Sequence, residues 1–155
     1  MDGSITQPQL RLSDFLPYRL SVLSNTVSKR IAERYQSEFG LSVWQWRVMA
    51  VLGEAPGLTA KDISERTAMD KVAVSRAVSG LVEDGILRRE AAQDDGRRSM
   101  LYLSEAGQAI YARIVPLAMS YETELTQALT AVDIETLKHL LDSCADVVSP
   151  DQKLW

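Results

Sequence analysis

Residues 70–85 have the sequence DKVAVSRAVSGLVEDG, which is the most informative segment of the chain about its architecture. Asp70 is a typical helix N-cap and Gly85 a typical stop, so a helix is predicted from Asp70 to about Glu83. At 100° per residue, apolar side chains gather on one side of this helix: Val74, Val78, Leu81 and Val82. The other side carries a mixed and largely polar set: Val72, Ser75, Arg76 and Ser79. One face is therefore predicted to pack, and the other is free for a partner.

The free face has the chemistry of a helix that reads the major groove of DNA. Arginine can contact guanine bidentately, serine can meet several base edges, and Val72 or Ala73 can touch a thymine methyl group. The plainer alternative is an ordinary amphipathic surface helix, so the neighbouring segments must decide between the two.

Those segments indicate a winged helix-turn-helix. Thr59 and Asp62 are spaced as a capping arrangement, which predicts a short helix carrying Ile63 just before the helix that starts at Asp70. After Gly85 the apolar period changes, and residues 86–90 and 100–103 are predicted to form a hairpin around a polar tip that holds Arg97 and Arg98. Such a wing can reach an adjacent minor groove.

Four longer helices flank these elements. The first is predicted over about residues 13–37, with an apolar stripe that includes Leu20 and Leu23 and that needs a partner. Ser42 and Gln45 form a capping box that opens the second. The last two are predicted over about residues 104–128 and 131–148. The expected fold class is mainly α with a small β-hairpin wing, in a single domain over residues 1–155.

Composition restricts the function without deciding it. The net charge of −4 argues mildly against nucleic acid, but basic residues cluster in one middle segment: Lys61, Arg66, Lys71, Arg76, Arg88, Arg89, Arg97 and Arg98. We find no leader and no transmembrane stretch, which predicts a cytoplasmic protein with no membrane partner.

No catalytic or metal-binding motif stands out. The only histidine, His139, is expected on the surface, and no group of side chains has metal-ligand spacing. We therefore expect no enzyme activity, no cofactor and no metal. Cys144 is a candidate redox sensor, but the expectation is a small buried residue.

Several segments resemble the MarR family of bacterial regulators. They are residues 41–52, 70–78 and 83–85, the wing sequence Asp94-Asp95-Gly96-Arg97-Arg98, and Leu103-Ser104-Glu105-Ala106-Gly107. The resemblance implies a homodimer on a pseudo-palindromic operator in double-stranded DNA. It places the dimerisation helices at about residues 13–40 and 104–148 and the winged helix-turn-helix at about 41–103. In that family the wing Asp orients the loop or the Arg, and the Arg enters the minor groove.

Two sets of site residues follow. The expected DNA-binding set is Thr59, Lys61, Lys71, Val72, Ala73, Ser75, Arg76, Ser79, Asp95, Arg97 and Arg98. The resemblance also implies a cavity for a small phenolic or aromatic acid, with Arg19, Trp46, Trp44 and Tyr111 as candidates; the alternative is that Trp46 belongs to the core and Arg19 to an ion pair. Gly80 is expected on the exposed side of its helix, where it departs from the family pattern.

The expected function is a DNA-binding transcriptional regulator, a repressor that a ligand releases. The alternative is a winged-helix module that dimerises and binds protein. The free helix face and the charged wing favour DNA, because a protein-binding module more often carries a contiguous apolar patch there.

Overall fold

The computed structural model describes residues 9–67, 69–151 and 154–155. Within them the chain forms six α-helices and one antiparallel hairpin. In chain order the elements are a 3₁₀ turn Leu12–Asp14, α1 Leu16–Phe39, α2 Val43–Glu54, α3 Ala60–Thr67, α4 Lys71–Glu83, β1 Leu87–Ala91, β2 Ser99–Leu103, α5 Glu105–Thr126 and α6 Ala131–Val148. The expected fold class is confirmed.

Local hydrogen bonds explain where the helices begin. Ser42 and Gln45 form the predicted capping box at α2, and the Asp70 carboxylate accepts the N–H of Ala73 at α4. The α1 helix starts later than expected, at Leu16, because the preceding residues form the 3₁₀ turn. Pro17 is the second residue of α1, a position where its missing N–H costs no helical hydrogen bond.

The wing is an antiparallel hairpin whose second strand is also bonded to the segment before α3. Leu87 pairs with Leu103 and Ala91 with Ser99. An isolated bridge between Leu58 and Leu101 attaches β2 to the segment before α3. The position of the hairpin relative to α3 and α4 is therefore set by backbone hydrogen bonds.

The core lies under the winged helix-turn-helix. Its fully buried residues come chiefly from α2, α3, α4 and β2, and include Met49, Leu52, Ile63, Leu81 and Leu101, none more than 1% exposed. In α1 and α5, Tyr35 and Ile114 reach this core. Contacts with α2, α3 and β1 thus hold α4 on its packed face, while its other face is exposed to solvent.

Large apolar side chains remain exposed on α1 and α6. They include Leu16, Leu20 and Leu23 on α1 and Leu137, Leu140 and Leu141 on α6. No described residue of α6 is buried. The expectation that Cys144 is buried is wrong for the single chain: its side chain is exposed, because no other element covers α6 there. His139 is exposed, as predicted.

Within the described ranges, none of the helices combines the length and the apolarity that crossing a bilayer requires.

Candidate nucleic-acid interface

The two faces of α4 are those that the sequence predicted. Val74, Val78 and Leu81 are at most 1% exposed, whereas Val72 is 60% exposed. Exposed polar side chains share the outer face with Val72: Ser75, Arg76 and Ser79. No carboxylate occurs between Lys71 and Ser79. The outer face therefore offers small, neutral and cationic groups to whatever approaches it.

The turn that leads into α4 is held from both sides. The hydroxyl of Ser64 on α3 donates to the carbonyl oxygen of Met69 at 2.7 Å. Met69 itself is 5% exposed, so its side chain anchors the turn in the core. The Asp70 carboxylate then accepts the Ala73 N–H at 2.8 Å and fixes the first turn of α4. Ala73 is half-buried, so less of it faces outward than was expected of a base contact.

At the start of α3, Thr59 and Asp62 are joined by reciprocal hydrogen bonds. One Asp62 oxygen accepts both the N–H and the hydroxyl of Thr59, at 2.8 and 2.7 Å. These hydrogen bonds, with Arg98 and Arg66 nearby, lower the pKa of Asp62 below its usual range. Both Thr59 donors are thus engaged within the protein. Lys61 is exposed, and its Nζ lies 3.8 Å from Glu65 Oε1.

The tip of the wing is a tight turn organised by Asp95. Its carboxylate accepts the Arg97 N–H at 3.1 Å, and its carbonyl oxygen accepts the Arg98 N–H at 2.9 Å. Both arginines are exposed. Arg98 lies 3.9 Å from Asp94, a loose ion pair. The side chains of Arg97 and Arg98 are therefore carried on an ordered turn and remain accessible.

A further wing arginine, Arg88, contacts Tyr102, and the sequence analysis did not predict this contact. The guanidinium of Arg88 lies 4.6 Å from the centre of the Tyr102 ring and pairs with Glu90. Gly57 packs under the same ring, where a Cβ would fall 2.9 Å from the Tyr102 oxygen. Cross-strand neighbours could have suggested the pair, because Arg88 and Tyr102 are in register. The contact with Gly57 had no signal in the sequence.

The four candidate ligand residues lie in three separate regions of the chain. Trp46 lies against Tyr35 and Tyr111, with ring centres 4.8 and 6.4 Å away. Arg19 precedes Tyr35 by 16 residues on α1, which places it about 24 Å away along the helix at 1.5 Å per residue. Trp44 is exposed, with the Arg47 guanidinium 5.3 Å from its ring centre. Within one chain, Trp46 and Tyr111 come together, whereas Arg19 and Trp44 do not join them.

The expected position of Gly80 is wrong. Gly80 is half-buried and faces α2, because a Cβ on it would fall 3.2 Å from the amide nitrogen of Gln45. Gln45 is committed to the capping box of α2. The small residue at position 80 thus permits a close approach of α4 to α2, and it does not represent a missing contact on the outer face.

Comparison with known proteins agrees with this architecture. A family model described as the MarR family matches residues 39–98. The homoprotocatechuate degradative operon repressor of Escherichia coli is 26% identical over 102 residues, which cover 66% of this chain and 69% of the repressor.

Solved structures extend the similarity across the helices on both sides of the winged segment. A MarR/EmrR family transcriptional regulator from Acinetobacter sp. ADP1 has a TM-score of 0.85 at 25% identity, covering 91% of this chain and 99% of its own. A probable transcriptional regulator from Pseudomonas aeruginosa has a TM-score of 0.74 at 29% identity, covering 86% and 99%. These matches support a DNA-binding regulator over a protein-interaction module.

Proposed function

We propose that this chain, which is similar to transcriptional regulators of the MarR family, is a DNA-binding regulator of that family and acts as a homodimeric repressor that a small aromatic acid releases from its operator. The observation that carries the proposal is the outer face of α4. That face is exposed at Val72, Ser75, Arg76 and Ser79, lacks carboxylates and lies opposite the packed face of the helix.

The division of labour on DNA follows from side-chain position. Major-groove contacts are assigned to the outer face of α4: Val72, Ala73, Ser75, Arg76 and Ser79. Backbone contacts are assigned to the cations and hydroxyl at the ends of α3 and α4: Thr59, Lys61 and Lys71. Of these, Thr59 has to release Asp62 to donate, so the lysines carry more of the contact. Wing contacts are assigned to Asp95, Arg97 and Arg98, with Asp95 ordering the turn.

Dimerisation is supported by the uncovered apolar surface. The leucines of α1 and α6 expose between 36% and 57% of their area in the single chain, and burying such side chains is favourable by roughly 25 cal/mol per Å². We assign dimerisation to about residues 13–40 and 104–148 and DNA binding to about residues 41–103. Two copies can then present their α4 helices to successive major grooves about 34 Å apart, which matches a pseudo-palindromic operator.

A site for an aromatic acid is supported by the Trp46 and Tyr111 rings and by one relative. That relative is named for repressing a homoprotocatechuate degradative operon, and homoprotocatechuate carries an aromatic ring and a carboxylate. The rings supply an apolar wall, whereas Arg19 can supply the carboxylate partner only from the other protomer, given its distance along α1. Trp44 lies apart from the Trp46 and Tyr111 rings and is the weakest of the candidate ligand residues. The ligand shifts the equilibrium only if it prefers a spacing of the two α4 helices that does not fit DNA.

The experiment is fluorescence anisotropy with a labelled duplex from upstream of the protein's own gene, against a scrambled duplex, over several salt concentrations. We expect preference for the native duplex, two protomers per site, and affinity that falls with salt as phosphate contacts release counterions. Absence of salt-dependent binding to any duplex would contradict a DNA-binding role. Homoprotocatechuate is then titrated into the complex, with catechol, which lacks the carboxylate, as its matched control. Release by neither compound contradicts the proposed ligand class.

A further inference from the structure

A groove runs between the start of α2 and the outer face of α4. It is lined by Ser42, Trp44 and Gln45 from α2 and by Ala73, Arg76 and Ala77 from α4, and is called the Trp44 groove below. Its volume is ≈ 330 Å³, about ten times the share of a water molecule in the liquid, so a group larger than water fits. The groove shares Arg76 with the face assigned to the bases and is therefore continuous with it.

Trp44 is an unusual residue for such a position. It is 46% exposed, although its indole could have packed into the core as that of Trp46 does. The Arg47 guanidinium lies over the ring, 5.3 Å from its centre, and holds it in place. The surface thus combines an exposed flat apolar ring with two guanidinium groups, those of Arg47 and Arg76.

The charge of the lining residues indicates which kind of molecule the Trp44 groove can bind. None of the six lining residues is acidic, and Arg76 is exposed. An apolar wall beside cations suits the sugar–phosphate backbone, since deoxyribose offers an apolar face and each phosphate a negative charge. A protein partner would be favoured by a wider apolar patch, and Ser42, Gln45 and Arg76 interrupt this one.

We propose that the Trp44 groove binds the backbone of duplex DNA beside the bases that α4 contacts, with Trp44 packing on deoxyribose and Arg47 facing phosphate. This inference rests on the proposed DNA contact by α4. A helix about 10–12 Å across fills a major groove about 12 Å wide, so whatever flanks the helix at its sides meets the strands that form the groove walls. The element at this side of α4 is the first turn of α2.

The test uses full-length protein and a 30-base-pair duplex of random sequence at low salt, since a backbone contact does not depend on base sequence. Trp44→Ala is expected to raise Kd about fivefold through lost apolar contact, and Trp44→Phe much less. Trp155→Ala is the matched control, because Trp155 is an exposed tryptophan that is hydrogen-bonded to Asp142 on α6, away from α4. It is expected to leave Kd unchanged.

Salt dependence separates the apolar from the charged contribution. Trp44→Ala removes no charge and should leave the slope of log Kd against log salt unchanged, whereas Arg47→Gln should reduce it by about one for each protomer bound. Circular dichroism verifies that each variant is folded. If Trp44→Ala does not fold, quenching of indole fluorescence by acrylamide is measured with and without the duplex. Trp155→Phe retains Trp44 and Trp46, whereas the Trp44→Phe, Trp155→Phe double variant retains Trp46 alone. The duplex should reduce quenching more in Trp155→Phe than in the double variant.

Failure of the groove contact can be distinguished from failure of DNA binding as a whole. If the unmodified protein binds the duplex and folded Trp44→Ala binds it equally well, the inference is overturned and the function stands. Equal indole protection in the two fluorescence variants overturns it as well. If the unmodified protein binds no duplex at any salt concentration, the DNA-binding function and the inference fail together.

Discussion

Gly107 on α5 lies directly against the carbonyl oxygen of Ile86: a Cβ on Gly107 would fall 2.1 Å from that oxygen. Ser104, just before α5, strengthens the same contact. Its N–H donates to the Ile86 carbonyl at 2.9 Å, and its hydroxyl donates to the carbonyl of Gly85 at 2.6 Å. The start of α5 is thereby attached to the segment that joins α4 to β1.

Gly107→Ala should lower the free energy of unfolding by about 2 kcal/mol. The added methyl group has to displace backbone, and this overpacking outweighs the roughly 1 kcal/mol that alanine gains over glycine inside a helix. Urea denaturation followed by circular dichroism measures the change. Gly96→Ala is the control, since a Cβ at that wing position meets nothing within 4 Å. Equal stability of both variants would show that Gly107 is not a close-packing position.

The Asp62 carboxylate should stabilise the protein in a pH-dependent way. Its pKa is lowered in the folded state, first by the hydrogen bonds from Thr59. The stabilisation is therefore present above the unfolded pKa of about 3.9 and is lost as pH falls through the lower folded value. Asp62→Asn should cost about 1 kcal/mol at pH 7, a typical value for a capping interaction, and progressively less below about pH 4. Urea denaturation at pH 7, 5 and 3.5 measures both.

Thr59→Val provides the matched background for Asp62, because it removes the hydroxyl that donates to the carboxylate. In that background Asp62→Asn should cost less, and the Asp62 pKa measured by NMR should rise toward its usual value. An unchanged pKa would mean that the Thr59 hydroxyl is not the main cause of the lowered Asp62 pKa.

Arg76→Ala should reduce affinity for the operator by about 1–3 kcal/mol and affinity for random duplex much less, because a bidentate contact to guanine is lost. Arg98→Ala, on the exposed wing, should weaken both duplexes to a similar extent. Anisotropy titrations on both duplexes at one salt concentration give the comparison. Equal losses on the two duplexes for Arg76→Ala would contradict its assignment to base contacts.

Leu140→Glu should convert the proposed dimer to a monomer. Leu140 is 55% exposed in the single chain, and a charge there has to be desolvated when the apolar surfaces meet. Light scattering should change from twice the chain mass of 17.2 kDa to that mass. His139→Glu is the control, since its position is turned about 100° away along α6. A Leu140→Glu protein that remains dimeric at micromolar concentration would exclude α6 from the interface.

Local sequence was sufficient to predict the helix caps and the buried and exposed faces of α4. Asp70, Ser42 and Thr59 each bond within three residues, so their side chains find the same partners in any fold that keeps the helix. The division of α4 into packed and free faces was likewise set by helical period. Cys144 was misjudged because burial depends on what lies over a residue, and no described residue of the single chain covers α6 there.

Period, capping and turn chemistry act over a few residues, and from them the order of the elements, the starts of the helices after α1 and the winged helix-turn-helix could be predicted. Tertiary contacts, by contrast, place Gly80 against Gln45, stack Trp46 on Tyr111 while Trp44 stays at the surface beside Arg76, and bring Gly107 against Ile86. Such contacts join residues far apart in the chain, and a pattern of nearest neighbours carries no information on the distance between them.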